Sequence, residues 1–262
     1  MQYAIVLLPI VPLRSAASDC AEMTSQLLFG DFVTIQAQSA TNWTQVCNLF
    51  DQYTGWVDTK MLTPLDEVEF NRLQSLPLYF VKQPSADAKE HCSTYPLRLS
   101  IGVSLPGYDP LRQRMQVLDR SFQIPLRAVS CAQDVVIKSL LRTASYYIHT
   151  PYLWGGKSIY GIDCSGFVQS VYRLYQINLP RDASQQVHCG QPIDFAARRP
   201  GDLAFFSNQA GKVVHVGIVY TPSQIIHASG SVHIDPLSEE GIYSHTQGRI
   251  THEKLVLRRV IV

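Results

Sequence analysis

Gly161-Ile162-Asp163-Cys164-Ser165-Gly166-Phe167 decides how the rest of this chain is read. It follows a glycine-rich segment, Trp154-Gly155-Gly156-Lys157, and leads into a helical period, with Phe167, Val171, Leu174 and Tyr175 at i, i+4, i+7 and i+8. Asp163 is a candidate N-cap, and Asn178 with Pro180 supplies a stop signal. Cys164 is thereby expected at or beside the first residue of a helix, where unpaired N–H groups and the dipole favour an anion. Such surroundings lower a thiol pKa and favour the nucleophilic thiolate. A small buried thiol packing a helix start would need the same residues, and the stretch alone allows both.

Around this stretch the periodicity predicts an α+β region. Val135, Val136, Ser139, Leu140 and Thr143 with Tyr146 and Tyr147 give an amphipathic helix of about four turns, starting at Asp134 and ended by Pro151. After Arg199-Pro200-Gly201-Asp202, a turn by composition, strands are expected over 203–206, 213–220 and 225–228, with a closing strand over 255–261. Helices first and an antiparallel sheet second define the class.

An activated cysteine needs a base within reach, and the base needs a group to orient it. The candidates are His149, His188, His215, His227, His233, His245 and His252. His215 lies mid-strand with small Gly217 on its side, expected to leave open space, and Val214, Val216 and Ile218 on the other. His227 lies mid-strand in Ile225-Ile226-His227-Ala228. A core histidine bonded to backbone would account for either alone; two in adjoining apolar strands beside a candidate nucleophile favour catalysis. A hairpin centred between Pro222 and Ser223 would set His215 against position 230 and send His227 through the opposite face. Both rings share a face only if paired positions add to an even number, as in 215 with 227, which demands an asymmetric loop or a bulge. One of these two irregularities is therefore expected. The other histidines show no usable pattern. Without HExxH, CxxC or clustered ligand spacing, no metal is expected.

The N-terminal half reads differently. Strands are expected over 3–8, 27–29, 32–37, 43–47 and 55–58, with turns at Phe29-Gly30-Asp31 and Tyr53-Thr54-Gly55, as in a small barrel. Residues 1–13 lack a basic leader and are interrupted by Pro9 and Pro12, so they are expected as a pair of edge-strand segments rather than a signal peptide. Over 64–130 a second, degenerate barrel is expected from segments 78–81, 97–99, 115–118 and 123–124, with a loop at 105–110. The division is 1–63, 64–130 and 131–262. A hydrophobic fraction of 46%, 16% charged residues and a net charge of +1 describe a globular chain with no hint of nucleic-acid binding. No stretch is apolar and long enough for a bilayer helix. Six scattered cysteines favour reduced thiols and, with no leader recognised, the cytoplasm; an upstream start would make it periplasmic or secreted.

Several motifs, in order, resemble the NlpC-type cell-wall peptidases. They are Tyr152-Leu153-Trp154-Gly155-Gly156, Asp163-Cys164-Ser165-Gly166-Phe167, Leu179 through Gln186, Arg199 through Leu203, His215-Val216-Gly217-Ile218 and Ile226-His227-Ala228. The resemblance covers 134–262 and implies a circularly rearranged papain-like fold with a Cys-His-His triad. Cys164 would be the nucleophile, His215 the base and His227 the group orienting it, under the ion-pair logic of papain-like proteases. Tyr152 resembles the family tyrosine whose hydroxyl joins the Cys164 N–H in holding the oxyanion; an interfacial ring beside Trp154 is the plainer alternative.

Pro12-Leu13-Arg14, Leu28-Phe29-Gly30-Asp31, Asn42 through Val46 and Gly55-Trp56-Val57 are similar to bacterial SH3-like domains. The whole chain resembles gamma-D-glutamyl-L-diamino acid endopeptidases, which release L-Ala-gamma-D-Glu from murein peptides with a free N-terminal L-Ala. In that subgroup an acid and a tyrosine of the first barrel bind the free amine, and Glu22 and Tyr53 occupy matching places. Asp163, Ser165 and Ser184 match positions that contact substrate, although Asp163 would serve equally as an N-cap. The resemblance implies a murein peptide as substrate, a role in cell-wall peptide recycling, and no cofactor. Neither a nucleic-acid nor a membrane partner is expected, and the chain is expected to be a monomer. Two rivals remain: a hydrolase of intact peptidoglycan and an inert wall-binding module. Meso-diaminopimelate and Lys are both open at the third substrate position.

Overall fold

The computed structural model describes residues 2–131 and 136–261. The chain forms two compact units, one of Met1–Gln133 with Lys157–Ile159, the other of Asp134–Gly156 with Tyr160–Val262.

The first unit begins with seven antiparallel strands: β1 (Gln2–Ile5), β2 (Ile10–Arg14), β3 (Met23–Leu28), β4 (Phe32–Gln38), β5 (Trp43–Asn48), β6 (Thr54–Asp58) and β7 (Thr63–Leu65). Their order across the sheet is β3-β2-β6-β5-β4-β1-β7. The N-terminal segments are therefore not edge strands: β1 lies between β4 and β7, and β2 between β3 and β6. The cause is two cores on either side of the chain. Ala4 and Val6 enter one with Leu13, Val33 and Val57, while Ile5 and Leu7 enter another. A segment buried on both faces reads as a continuous apolar run, which a signal peptide also does.

The second of these cores joins Ile5, Leu7, Leu28 and Phe29 to Val81, Leu99, Leu105 and Phe122. These come from α1 (Glu67–Gln74) onward, through β8 (Leu78–Val81), β9 (Ser85–Glu90), β10 (Leu97–Ser100), β11 (Ser104–Pro106), β12 (Tyr108–Asp109), β13 (Arg114–Val117), β14 (Arg120–Gln123) and β15 (Val129–Cys131). They form sheets of order β10-β9-β14-β13-β12 and β11-β8-β15. The sequence missed α1, whose Asp66 side chain accepts from the Glu69 N–H at 2.7 Å, and β9, whose inward residues are only Ala86 and Ala88. The expected loop at 105–110 instead contributes to β11 and β12 around Gly107, at φ +69°. Gly30 has φ +80°, and a Cβ there would lie 2.0 Å from the Ser104 carbonyl, so this turn requires glycine. Lys157–Ser158 (β16) counts with this unit; Lys157 is buried, its N–H donating to Gln26 Oε1 at 2.8 Å and its Nζ 3.5 Å from Asp51.

The second unit carries α2 (Ile137–Ser145), β17 (Gly161–Ile162), α3 (Cys164–Arg173), α4 (Ala183–Gln186) and β18 (Gln191–Ile193). Then follow β19 (Leu203–Ser207), β20 (Val213–Thr221), β21 (Gln224–Ser229), β22 (Ser231–Ser238), β23 (Gly241–Ser244), β24 (Arg249–His252) and β25 (Leu255–Arg259). The antiparallel sheet has the order β18-β25-β19-β20-β21-β22-β23-β24. Helix α2 is shorter than expected: Asp134 and Val135 lie outside the described residues, Tyr146 is its C-cap, and His149 at φ +70° is already non-helical. Helix α3 also ends before Asn178 and Pro180. Gln176 turns left-handed at φ +57° and the last turn tightens, with Tyr175 N–H on Tyr172 O and Gln176 N–H on Arg173 O.

The candidate active site

The stretch from Gly161 to Phe167 folds around glycines. Cys164 is the first residue of α3, and the Asp163 side chain caps it by accepting from the Gly166 N–H at 2.7 Å. A Cβ on Gly166 would meet the Gly156 carbonyl at 2.2 Å, and one on Gly156 the Gly161 carbonyl at 2.4 Å. The paired glycines thus let the preceding loop lie directly against the helix start. Asp163 is heavily engaged. Its Oδ2 accepts from Gly155 N–H at 2.9 Å, its Oδ1 from Ser165 Oγ at 3.2 Å, and both oxygens take the Arg181 guanidinium fork at 3.0 and 2.5 Å. Arg181 also donates to Ser165 Oγ at 2.9 Å. Asp163 and Ser165, expected as substrate contacts, are buried here in a network that holds the helix start. Ser184, on the four-residue α4, is exposed.

On the sheet, His215 and His227 meet directly. His215 Nε2 lies 2.9 Å from His227 Nδ1, with both rings buried. The register is the even one that a shared face requires: Gly217 pairs with His227, Ile218 with Ile226 and Val219 with Ile225. A bulge between Val219 and Thr221 produces it, as expected from the parity of the hairpin. The space beside Gly217, expected to be open, is filled: a Cβ there would lie 2.8 Å from His227 Cβ and 2.7 Å from Ile225 Cδ1. Glycine at 217 leaves room for the His227 Cβ and the Ile225 side chain on the neighbouring strand.

The Val216 N–H, from the residue after His215, points at the Cys164 sulfur and lowers its pKa, as does the Ser165 N–H. Burial outweighs them and pushes the thiol up to about 11, with Asp163 adding to the rise. Burial, with the neighbouring His227, His252 and His233, holds His215 well below the ordinary 6.5. Either group ionised alone is thus opposed, whereas a proton passed from thiol to imidazole creates two charges that attract. No hydrogen bond joins Cys164 to His215 among the described residues, and such contacts commonly tighten only around substrate. Tyr152 is half-buried, and burial followed by the nearby Cys164 raises its pKa, keeping the phenol a donor. Its N–H donates to Gly230 O at 2.9 Å.

Three further groups, to which the sequence assigns no role, join the histidine pair. His233 pairs directly with His227, and Asp235 with Ile225, which places both on the histidine face. His252 lies with its ring centroid 4.2 Å from that of His215. The tight Ser229-Gly230-Ser231 turn, with Gly230 at φ +75°, mirrors 227 onto 233 and was the available signal. His227, His233 and Asp235 present ligand atoms within 4.8 Å of one another, the donor types of a zinc site. In the first unit, Glu22 is exposed, and Tyr53 packs partly against the core of Val46 and Val57.

A helix-capped cysteine and a strand-borne histidine pair, on an α+β unit, define a papain-like cysteine peptidase. The chain belongs to the NlpC/P60 family, whose model matches residues 149–251, and the bacterial dipeptidyl-peptidase SH3 domain matches 13–62. A relative from Bacillus subtilis is 34% identical over 216 residues, 78% of this chain and 71% of its own length. One from Bacillus cereus is 28% identical over 253 residues, 87% of this chain and 74% of its own. Both are named gamma-D-glutamyl-L-lysine dipeptidyl-peptidase. A solved NlpC/P60 family protein from Bacillus cereus superposes with a TM-score of 0.83 across 99% of this chain and 100% of its own, at 22% identity, and shares the fold.

Proposed function

We propose that the protein hydrolyses the amide bond between gamma-D-Glu and the following diamino acid in murein peptides whose N-terminal L-Ala is free. The supporting observation is that both relatives bearing the gamma-D-glutamyl-L-lysine name match across the barrel and peptidase segments together. Cys164 passes its proton to His215 Nδ1, the nitrogen left by the His227 bond, and its sulfur attacks the gamma-carbonyl. Tyr152 hydroxyl and the Cys164 N–H hold the oxyanion. The C–N bond breaks as His215 returns the proton to the leaving amine, and water then cleaves the thioester. Glu22 and Tyr53 recognise the free ammonium; a carboxylate paired with a cation is a direct way to demand it. The reaction takes part in recycling cell-wall peptides in the cytoplasm.

The test is turnover of L-Ala-gamma-D-Glu-L-Lys and its meso-diaminopimelate counterpart, each free and N-acetylated. Acetylation is expected to lower kcat/KM by about two orders of magnitude or more, from loss of a charge pair worth ~3 kcal/mol. Equal cleavage of blocked peptides, or cleavage of intact peptidoglycan alone, would replace this reading with that of a wall hydrolase.

A further inference from the structure

We propose that Asp235 is a positioning residue of this peptidase: through His227 it fixes the tautomer that lets His215 act as base. The inference rests on the catalytic roles given above to Cys164 and His215.

A single proton lies between His215 Nε2 and His227 Nδ1, 2.9 Å apart. If His215 is to receive the thiol proton on Nδ1, its Nε2 must already carry hydrogen and donate to His227. His227 Nδ1 is then an acceptor, and the hydrogen of that ring belongs on Nε2. This nitrogen is buried, and among the described residues it has no closer hydrogen-bond partner than Asp235 Oδ2, 3.5 Å away. That distance is long for a hydrogen bond but is that of an acceptor waiting across the strand pair. Asp235 is itself buried, and its carboxyl is held below the ordinary carboxylate range by His227 and His233 despite its burial. His233 stands on its other side, with Nε2 at 3.1 Å from the same oxygen and Nδ1 at 2.8 Å from Ser231 O, and its neutral ring donates to one of these two acceptors. The direct pairing of 227 with 233 and of 225 with 235 builds this arrangement into one hairpin.

The opposite tautomer shows what the carboxylate prevents. With hydrogen on His227 Nδ1, that ring would donate to His215 Nε2 and leave the hydrogen of His215 on Nδ1. The base would then face the thiol with a proton it cannot accept. A buried carboxylate beside Nε2 penalises this state, because two acceptors would face each other without a hydrogen between them.

The test uses the full chain labelled with 15N-histidine, with a chelator present to keep the ring nitrogens free of metal. Long-range proton–nitrogen correlation reads each tautomer. In the wild type, His215 and His227 are both expected with hydrogen on Nε2. In Asp235→Asn, the expected changes are a shift of both toward Nδ1–H and a fall in kcat of about 100-fold, one ring further from the base than the carboxylate whose amide replacement costs about 10⁴. KM and thermal stability are expected to stay near wild-type values, which a merely structural residue would not show. Wild-type His227 with hydrogen on Nδ1, or an Asn variant with unchanged tautomers and kcat, would overturn the proposal. If the Asn variant fails to fold, the wild-type tautomers decide alone. If the wild type lacks turnover, the peptidase reading fails while the tautomers still report on Asp235.

Discussion

The nucleophile and the base are held by opposite means. At the start of α3, Asp163 has its oxygens filled by two backbone N–H groups, a serine hydroxyl and an arginine fork, all within 3.2 Å. On the hairpin of β21 and β22, His227 has one short contact and one at 3.5 Å. The first arrangement is saturated and leaves nothing free to move. The second carries protons along a row of rings whose donors and acceptors can be exchanged. A thiol needs only to be placed, whereas a base needs its hydrogen on the correct nitrogen. Rigidity therefore gathers at one end of the site and tautomer control at the other.

The largest stability effect should fall on the saturated side. Asp163→Ala removes the helix cap and leaves the buried Arg181 without its carboxylate, so a loss of about 3–5 kcal/mol is expected. Urea unfolding of the variant measures it. A loss below about 1 kcal/mol would show that the network is not what holds the nucleophile, and that the two ends of the site do not differ in this way.

A smaller, pH-dependent effect belongs to the histidine side. Burial lowers the pKa of His215 first, with neighbouring imidazoles adding to the shift; burial also lowers His227, against the pull of Asp235. Because the native values lie below 6.5 and the unfolded ones near it, the unfolded chain takes up protons first as pH falls. Stability is therefore expected to decline below about pH 6.5 and to be insensitive to these groups above it. For the same reason His215 stays neutral in mild acid, so the acid limb of kcat/KM is expected below 6.5. Unfolding midpoints and rate profiles taken between about pH 4.5 and 8 read both limbs. An acid limb above 6.5 would mean that the base is less buried than the sheet makes it.

Much of this contrast could be read in the sequence, but unevenly. Asp163 as cap and Cys164 as first helical residue follow from local rules, because a cap depends on a few neighbouring residues. The even register of His215 and His227 follows instead from requiring both rings on one face, since the turn residues alone favour the odd one. The end of α3 follows from neither: Leu174 and Tyr175 keep the apolar period after Arg173, and only the left-handed Gln176 marks the stop. The engagement of Asp163 by Arg181 joins residues 18 positions apart, and no periodicity announces such a pair. His233 and Asp235 alternate on a strand that was not recognised, since Val232, Ile234 and Pro236 give a weak pattern. The N-terminal run was misplaced at a sheet edge because burial on both faces, between two cores, erases the alternation that marks a strand.

The most direct test of the central claim is hydrolysis of L-Ala-gamma-D-Glu-L-Lys by Cys164→Ala. Cys164 is buried and its sulfur accepts from the Val216 and Ser165 backbone N–H groups, so the variant should fold with a thermal midpoint close to that of the wild type. Turnover is expected to fall by about 10⁴-fold or more, to a level set by binding and the oxyanion donors alone. Retained hydrolysis at a rate within about tenfold of the wild type would contradict the assignment of Cys164 as nucleophile.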